Sequence, residues 1–328
     1  MPQHVLVTGG AGYIGAHACQ ALAGAGFVPV AFDNLSTGWR DAVKFGPFVQ
    51  GDLADRAAID QAFSHYRPVA VMHFAALSIV PDAVRDPGRY WRVNMMGALN
   101  LIESAIAAGC LNFVFSSTCA TYGDPDGVML DENTPQRPIN AYGASKRAIE
   151  DMLANFSASA GLQHVIFRYF NVAGADPDGQ IGEQHRPETH LIPLMLDAID
   201  GRRPALTVFG TDYPTPDGTC VRDYVHVTDL VAAHVLGLQW LLDGRGNRVF
   251  NLGSGRGFSV REVIDASRSV TNRAVPVTMG ARRIGDAASL VSGSDRAVRE
   301  LGWRPTRSEL PEMIRDALAW SQKPGFER

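Results

Sequence analysis

The fold of this chain is decided by residues 4–17, HVLVTGGAGYIGAH. His4–Thr8 is a short apolar run typical of a buried strand, and the glycine-rich turn Gly9–Gly15 follows it directly and opens a helical pattern. Glycines allow a tight turn and let the backbone approach a pyrophosphate, while the N-terminus of the next helix offers free N–H groups. The segment therefore predicts a dinucleotide site at the end of the first strand.

A second apolar run ends at an acidic residue and indicates which dinucleotide is bound. Asp33 follows the run Val28–Phe32 and lies eighteen residues after Gly15, where a carboxylate accepts a hydrogen bond from a ribose 2′-hydroxyl. Because the same carboxylate repels a 2′-phosphate, the pattern favours NAD over NADP. Pro29 weakens the strand prediction slightly, since proline cannot donate to a ladder.

The first half of the chain alternates short apolar runs with helical patterns. Further runs occur at Val69–Phe74, Phe113–Phe115 and Val165–Phe167, and this alternation predicts a parallel sheet covered on both faces. Beyond about residue 171 the loops become rich in glycine, proline and charge. We expect an α/β protein with a Rossmann-type doubly wound parallel sheet in residues 1–170 and a smaller C-terminal α/β substrate domain in residues 171–328, with an approximate boundary and interleaved segments.

Composition narrows the functional classes. The chain has 328 residues, 46% hydrophobic and 20% charged, which is typical of a globular protein and excludes collagen, coiled coil and disorder. The net charge of -4 favours neither nucleic acid nor an anionic membrane as a partner. The four cysteines form no CxxC pair and indicate free thiols in a reducing compartment. No apolar run reaches the roughly 18 residues of a membrane helix, so we expect a cytoplasmic location.

A tyrosine and a lysine spaced four residues apart form the candidate catalytic pair. Tyr142 and Lys146 would share one helix face, and a neighbouring cation would lower the pKa of the phenol from its usual value near ~10. The tyrosine would then be a usable base. Thr118 follows the apolar run Phe113–Phe115 and the two serines after it. This position is the carboxyl edge of the sheet, where ligands of open α/β folds bind. We predict Tyr142, Lys146 and Thr118 as catalytic residues.

At this point the sequence resembles the extended short-chain dehydrogenase/reductases and, within that family, the UDP-hexose 4-epimerases. The likeness runs over nearly the whole chain and rests on VLVTGGAGYIGAH, FDNLSTG, FSSTCATYGDP, AYGASK, RYFNVAGADPDG and FGTDYPTPDGTCVRDYVHVTDL. It implies tightly held NAD, a UDP-sugar substrate and a homodimer joined through two long helices of the nucleotide domain.

The resemblance also implies roles for individual residues. Those expected at NAD lie in the glycine turn, at the strand ends and on the catalytic helix: Gly9, Gly12, Tyr13, Ile14, Gly15, Asp33, Asn34, Asp52, Leu53, Phe74, Ala75, Ala76, Asn94, Tyr142, Lys146 and Tyr169. Those expected at the UDP-sugar are Thr118, Tyr142, Asn171, His190, Leu191, Phe209, Arg222, Arg283, Asp286 and Leu290. An arginine suits a diphosphate because it forms bidentate charge-assisted hydrogen bonds.

Two further patterns, one of glutamates and histidines and one of glycines, are interpreted as structural rather than functional. Glu183, His185, Glu188 and His190 crowd one loop, but their spacing fits neither HExxH nor a zinc finger, so we expect a structural loop beside the uridine and no metal. The cluster Gly253–Gly257 has no acidic residue at the distance a second dinucleotide site needs. We expect a structural turn before a helix capped by Ser259.

The residues after Thr118 favour epimerisation over elimination. Related dehydratases carry Asp-Glu there, whereas this chain has Cys119-Ala120, neither of which is a competent proton donor. The resemblance therefore implies inversion at C4 of UDP-glucose or UDP-galactose through a 4-keto sugar and bound NAD. Leu290 stands where other members carry tyrosine or a smaller residue and leaves the preference among hexose, pentose and N-acetylhexosamine open. The alternatives are a UDP-xylose/UDP-arabinose 4-epimerase and a non-catalytic NAD-binding regulator.

Overall fold

The computed structural model describes residues 2–125, 127–283, 286–323 and 325–326. Within these ranges the strands are β1 (His4–Thr8), β2 (Val28–Asp33), β3 (Phe48–Gln50), β4 (Ala70–His73), β5 (Asn112–Thr118), β6 (Gln163–Tyr169), β7 (Asn171–Ala173), β8 (Leu206–Phe209), β9 (Val221–His226), β10 (Arg248–Leu252), β11 (Gly257–Ser259), β12 (Val277–Gly280) and β13 (Ser289–Leu290).

The α-helices in the same ranges are α1 (Tyr13–Gly24), α2 (Arg56–Tyr66), α3 (Val80–Arg85), α4 (Pro87–Tyr90), α5 (Gly97–Ala107), α6 (Ala141–Ala160), α7 (Leu191–Ile199), α8 (Val227–Leu242), α9 (Val260–Thr271) and α10 (Leu310–Ser321). Short 3₁₀ turns occur at Arg40–Ala42 and Cys119–Thr121, and π-helical turns at Trp91–Met96 and Ala297–Leu301.

Seven strands form one parallel sheet in the order β10-β6-β5-β4-β1-β2-β3. The strand order reverses at β1, which is the doubly wound Rossmann arrangement predicted from the sequence and confirmed here. Alternate β1 residues enter two different cores: Val5 and Val7 pack with Leu22 and Leu230, whereas Leu6 packs with residues of α2 and α5. Burial on both faces explains why the strand is a continuous apolar run.

Pro29 fits into β2 because of where its nitrogen points. Val28 N donates to Gln3 O on the β1 side, and Ala31 N donates to Pro47 O on the β3 side. Alternation along a strand places the Pro29 nitrogen on the β3 side, where pairing begins only at Ala31. The missing N–H therefore removes no ladder bond.

The later part of the chain builds a smaller α/β unit. Strand β9 lies at its centre, pairs with β11, β13 and β7, and is accompanied by the parallel pair β8 and β12. Helices α7, α9 and α10 cover a shared apolar core, and the predicted capping box of Ser259 and Glu262 is present. Strand β10 nevertheless belongs to the seven-stranded sheet, and α8 packs on α1. Among the described residues no helix is both long and apolar enough to cross a membrane.

Candidate active site

The glycine turn after β1 forms a concave surface lined by backbone. Gly9 has φ of +73°, and a Cβ atom on it would lie 2.7 Å from Ala75 N. Helix α1 begins after Gly12, which supplies no side-chain cap, and its first turn contains no acidic residue. The first N–H groups of a helix have no partner within that helix, so this end fits the pyrophosphate of a dinucleotide. Tyr13 lies here too, and its hydroxyl donates to Gly174 O at 2.6 Å.

Asp33 ends β2 beside this turn. Its carboxylate accepts from Ala11 N at 3.1 Å and from Leu35 N at 2.8 Å. Burial raises the pKa of Asp33, and the two backbone hydrogen bonds oppose that rise. The next candidate, Asn34, is exposed and donates to Asp52 Oδ2 at 2.8 Å. Two backbone donors fix the Asp33 carboxylate in place and leave it lone pairs for a ribose hydroxyl.

The loop after β4 forms the opposite wall. Phe74 N and Ala75 N both donate to Thr8 O, at 3.0 and 3.1 Å. Asn94, in the π-helical turn Trp91–Met96, accepts from Leu77 N at 2.8 Å and donates to Leu77 O at 3.0 Å. Its amide also donates to Ser145 Oγ on α6 at 3.2 Å. Asn94 therefore ties this loop to the catalytic helix. Ala76 is half-buried in the loop, and Leu53 is half-buried against Gly97 at the start of α5.

The structure brings the three predicted catalytic residues to the carboxyl end of β5. Tyr142 and Lys146 lie on the first turns of α6, and Thr118 is the last residue of β5. The Thr118 side chain lies close enough to the Tyr142 hydroxyl to act on its pKa. The Lys146 side chain is 2% exposed, and its Nζ donates to Ser116 O at 2.8 Å. Tyr169, at the end of β6, hydrogen bonds Ser116 Oγ.

The electrostatics of the pair differ from the sequence-based expectation. Burial raises the pKa of Tyr142 above its ordinary value, the nearby Tyr169 adds to the rise, and the Thr118 side chain opposes it. Burial lowers the pKa of Lys146 to about 7, while the charge of Glu150 opposes that fall. The net shift of the Tyr142 pKa is therefore opposite to the fall expected from the neighbouring Lys146, because desolvation of the buried phenol dominates.

Sequence reasoning missed a buried ion pair beside Lys146 on α6. Glu150 lies one turn beyond Lys146, and its carboxylate pairs with Arg168 Nη2 at 2.6 Å. Both side chains are at most 7% exposed, and Ser117 Oγ donates to the same carboxylate. The sequence contained one signal that Glu150 belongs with the predicted pair, because Tyr142, Lys146 and Glu150 are spaced four residues apart and share one face of α6.

Apart from Thr118 and Tyr142, the candidate substrate residues come from the smaller unit. Arg222 lies on β9, and the guanidinium of Arg283 stacks on the Phe209 ring at 3.9 Å from its centroid. Burial raises the pKa of the Cys220 thiol, and the charges of Arg222, Asp286 and Arg283 also act on it. These three charged side chains therefore all lie within electrostatic range of the Cys220 thiol. Two cations with one nearby carboxylate leave a net positive site suited to a diphosphate.

Leu290 lies close to the catalytic end of β5. It pairs with Arg222 in the β13–β9 ladder and packs in a cluster with Cys119, Tyr122 and Phe170. Burial raises the pKa of Cys119 to about 12, so this thiol is protonated and inert at neutral pH.

Three other predicted substrate residues lie on β7 or at the start of α7. Asn171 begins β7 and pairs with Tyr224 in the β7–β9 ladder. Leu191 begins α7 and packs against the apolar core of the smaller unit. His190 precedes α7, and its Nδ1 lies 2.9 Å from Glu183 Oε1.

The second glycine cluster already holds an anion of the protein itself. The buried carboxylate of Asp223 accepts from Ser254 N at 2.7 Å and from Gly255 N at 3.2 Å. It also accepts from Ser292 N at 3.3 Å. A side-chain carboxylate thus fills the place that a phosphate would take, which makes this turn structural.

A Rossmann sheet with a glycine turn, an acidic β2 end and a tyrosine–lysine pair on α6 defines a nicotinamide-dinucleotide enzyme of the short-chain dehydrogenase/reductase class. Residues 5–253 match the family model described as the NAD dependent epimerase/dehydratase family. The chain belongs to that family.

Relatives resemble the chain over almost its whole length. It is 50% identical over 319 residues to a UDP-glucose 4-epimerase of Rhizobium leguminosarum bv. trifolii, covering 97% of each chain. The crystal structure of UDP-glucose 4-epimerase from Brucella ovis in complex with NAD is 48% identical, with a TM-score of 0.93 over 97% of this chain and 98% of that one. A UDP-glucose-4-epimerase from Stenotrophomonas maltophila with bound NAD and formylated UDP-arabinopyranose is 38% identical, with a TM-score of 0.93 over 98% of both chains.

Proposed function

We propose that this protein inverts C4 of a UDP-hexose, interconverting UDP-glucose and UDP-galactose through a transient 4-keto sugar. The observation that carries this proposal is the meeting of Thr118, at the end of β5, with Tyr142 on the first turn of α6, while the residues after Thr118 have no acid–base function. The Cys119 thiol has a pKa raised to about 12, and Ala120 has no titratable group. Without a second acid and base, a 4-keto sugar formed here is reduced again rather than dehydrated.

The chain's own residues perform binding and proton transfer. Arg222 and Arg283 hold the diphosphate, while Tyr142, assisted by Thr118, takes the proton of the C4 hydroxyl and returns it later. When bound, NAD supplies the two-electron acceptor and donor for C4 and, in its oxidised form, a positive ring that favours the Tyr142 phenolate. The raised pKa of Tyr142 suits the second half of the cycle, in which the phenol must be reprotonated. Because the sugar turns over while the diphosphate stays held, reduction occurs on the opposite face.

The NAD residues follow from the cradle described above. Backbone N–H groups of the Gly9–Gly15 turn and of the first turn of α1 would hold the pyrophosphate. Asp33 would accept from the adenosine ribose. Lys146, with its ammonium held at Ser116 O, would reach the nicotinamide ribose.

A substrate panel tests the activity. The purified protein is incubated without added NAD with UDP-glucose, UDP-xylose or UDP-N-acetylglucosamine, and the C4 configuration of each product is determined by NMR. We expect UDP-galactose from UDP-glucose at the highest rate. A 4-keto-6-deoxy product would identify a dehydratase, and nucleotide sugar that neither reacts nor reduces the copurified cofactor would identify a non-catalytic regulator.

A UDP-pentose 4-epimerase is the second candidate function. The similar Stenotrophomonas maltophila structure contains formylated UDP-arabinopyranose beside NAD, so a related site accommodates such a sugar. A pentose lacks the C6 hydroxymethyl group and therefore needs less room in the sugar pocket, one wall of which we assign to Leu290. Faster turnover of UDP-xylose than of UDP-glucose in the same panel would favour this function.

We also propose a homodimer. Apolar side chains are exposed along residues 84–96, where Val84, Trp91, Val93 and Met96 are 37–52% exposed. This segment leads directly into α5, and its π-helical turn contacts α6. A patch of this kind beside two helices is a natural protein interface. Light scattering on the wild type and on Met96→Asp tests the assembly.

A cytoplasmic location is proposed from the thiols. Cys19, Cys110, Cys119 and Cys220 are all free, and the first three are buried. Unpaired thiols are the normal state in a reducing compartment.

A further inference from the structure

Four side chains of the loop between β7 and α7 converge on one point. These are Glu183, His185, Glu188 and His190, called here the 183–190 cluster, and one ligand atom from each lies within 4.8 Å of all the others. Nδ1 of His185 is 3.5 Å from Glu183 Oε1 and 3.4 Å from Glu188 Oε2. Nδ1 of His190 is 2.9 Å from Glu183 Oε1 and 3.3 Å from Glu188 Oε1.

We propose that the 183–190 cluster is a structural binding site for a divalent transition-metal ion of the Zn²⁺ type. In a tetrahedral zinc site the bonds are about 2.0–2.1 Å, which places neighbouring ligand atoms about 3.3 Å apart. With Oε2 as the ligand atom of Glu188, three of the separations above belong to one tetrahedron, and at 2.9, 3.4 and 3.5 Å they lie near that edge length. Once the ion has displaced their protons, two imidazoles and two carboxylates balance the charge of a divalent ion, and the mixed N and O donors favour Zn²⁺ over Mg²⁺ or Ca²⁺.

The ligands are oriented by contacts outside the cluster, as metal ligands usually are. Glu188 Oε1 accepts from Thr189 N at 2.7 Å and from His190 N at 2.9 Å. The backbone on either side is anchored as well, because Glu183 O accepts from Trp320 Nε1 at 2.9 Å. The Glu183 side chain is 8% exposed while that of His190 is 48% exposed, so the site has an enclosed floor and an entry path from solvent.

The position of the cluster gives the ion a structural task. Gln184 O accepts from Trp39 Nε1 at 2.8 Å, and Trp320 lies on α10. The loop thus joins the turn after β2, the C-terminal helix and the start of α7. An ion at this point would fix the loop that delivers Leu191 to the substrate side. The zinc templates do not describe such a cluster, because they place ligands at fixed helical or finger spacings, whereas these four side chains converge through a loop.

Metal titration tests the proposal independently of epimerase activity. Tag-free protein is treated with a chelator, dialysed and titrated with Co²⁺ while its visible spectrum is recorded. We expect about one equivalent to bind with the absorption bands of tetrahedral Co²⁺, to be displaced by Zn²⁺ and to raise Tm. His185→Gln and Glu188→Gln should each lose at least about tenfold in affinity, because even changes outside the ligand shell cost that much.

His65→Gln is the matched control, since it makes the same change at an exposed position on α2. It should bind Co²⁺ like the wild type. Circular dichroism and NAD content establish that each variant is folded, and if His185→Gln fails to fold, the wild-type spectrum and Glu188→Gln decide. Failure of the wild type to bind stoichiometric metal, or equal binding by wild type and Glu188→Gln, would overturn the proposal and leave a hydrogen-bonded network of histidine and glutamate only.

Discussion

A methyl group at Gly15 should damage the dinucleotide cradle, whereas the same group elsewhere on α1 should be harmless. A Cβ atom on Gly15 would lie 2.0 Å from Gly9 O, which is a backbone atom of the preceding turn. That is about 1 Å or more inside the closest approach these atoms tolerate. A backbone carbonyl cannot rotate away as a side chain can, so the start of α1 must move relative to the turn.

The magnitude follows from that displacement. Overpacking of this kind costs about 1–3 kcal/mol, which corresponds to a fall in Tm of about 1–5 °C for a chain of 328 residues. A shift of about 1 Å in a positioned site can cost about a hundredfold. Gly15→Ala should therefore lose NAD on purification, with affinity reduced at least about tenfold.

Gly24→Ala supplies the internal control. Gly24 is exposed at the last residue of α1, and no atom lies within 4 Å of a Cβ built there. Alanine favours a helix by up to about 1 kcal/mol over glycine, so Tm should stay level or rise while NAD content is unchanged. The assay is NAD per protomer after denaturation, together with a thermal melt. If Gly15→Ala matches Gly24→Ala in both measurements, the close approach of Gly15 to Gly9 is not what shapes the cradle.

Three further changes test the chemistry, the pocket and the stability. Tyr142→Phe removes the proton-transfer group and should lower kcat by about 10²–10⁴-fold, while NAD content in the purified variant stays level. Leu290→Tyr should suppress turnover of UDP-N-acetylhexosamines relative to UDP-glucose, and Leu290→Ser should raise it, by the ~1–3 kcal/mol typical of steric discrimination. Acid should destabilise the protein, because burial lowers the pKa of four histidines to between about 3 and about 4, those of His17, His73, His164 and His234. Below pH ~6.5 the unfolded chain takes up protons that the folded chain excludes, so the free energy of unfolding should fall by up to ~1.4 kcal/mol per pH unit for each histidine between pH 6.5 and 4.

Each of these three predictions has a result that would contradict it. A loss of less than about tenfold in Tyr142→Phe would be too small for a general base. Equal ratios of acetylated to non-acetylated turnover in both Leu290 variants would place this side chain outside the sugar pocket. His234→Phe, packed between Phe74 and Phe167, should flatten the dependence of stability on pH by about one proton. The free energy of unfolding is measured by urea denaturation at several pH values. If its change with pH is the same in the variant and the wild type, the role of this buried imidazole is contradicted.

Local sequence signals were sufficient for the parts of the site that local geometry determines. A strand followed by a glycine turn and a helix is encoded within residues 4–24, and the Tyr142–Lys146 spacing is a property of one helix. The end of β2 at Asp33 is likewise marked by an apolar run and its polar successor. In these segments propensity, hydrophobic pattern and tertiary structure agree, so the prediction needed no long-range information.

The remainder depends on contacts between distant parts of the chain. The direction of the Tyr142 pKa comes from burial and from Tyr169 on another strand, neither of which spacing reveals. The placement of β10 beside β6 joins segments about eighty residues apart. The nest around Asp223 looks like a phosphate loop in sequence, and only the fold brings the carboxylate into it. Desolvation and pairing across the fold are the physical terms that a linear pattern leaves out.

The return of β10 to the first sheet explains how the two halves of the site are held in register. Asn251 on β10 accepts from Tyr122 Oη at 2.6 Å and donates to Ser292 Oγ at 2.9 Å. Arg168 donates to the same Tyr122 hydroxyl at 3.0 Å and is paired with Glu150 on the catalytic helix. Ser292 lies two residues beyond Leu290, so a continuous buried network runs from α6 to the proposed sugar wall. Buried networks hold one geometry because a broken partner leaves an unpaired polar group or charge. This network therefore fixes the distance between α6 and Leu290, so in the proposed cycle the sugar rather than the protein turns between oxidation and reduction.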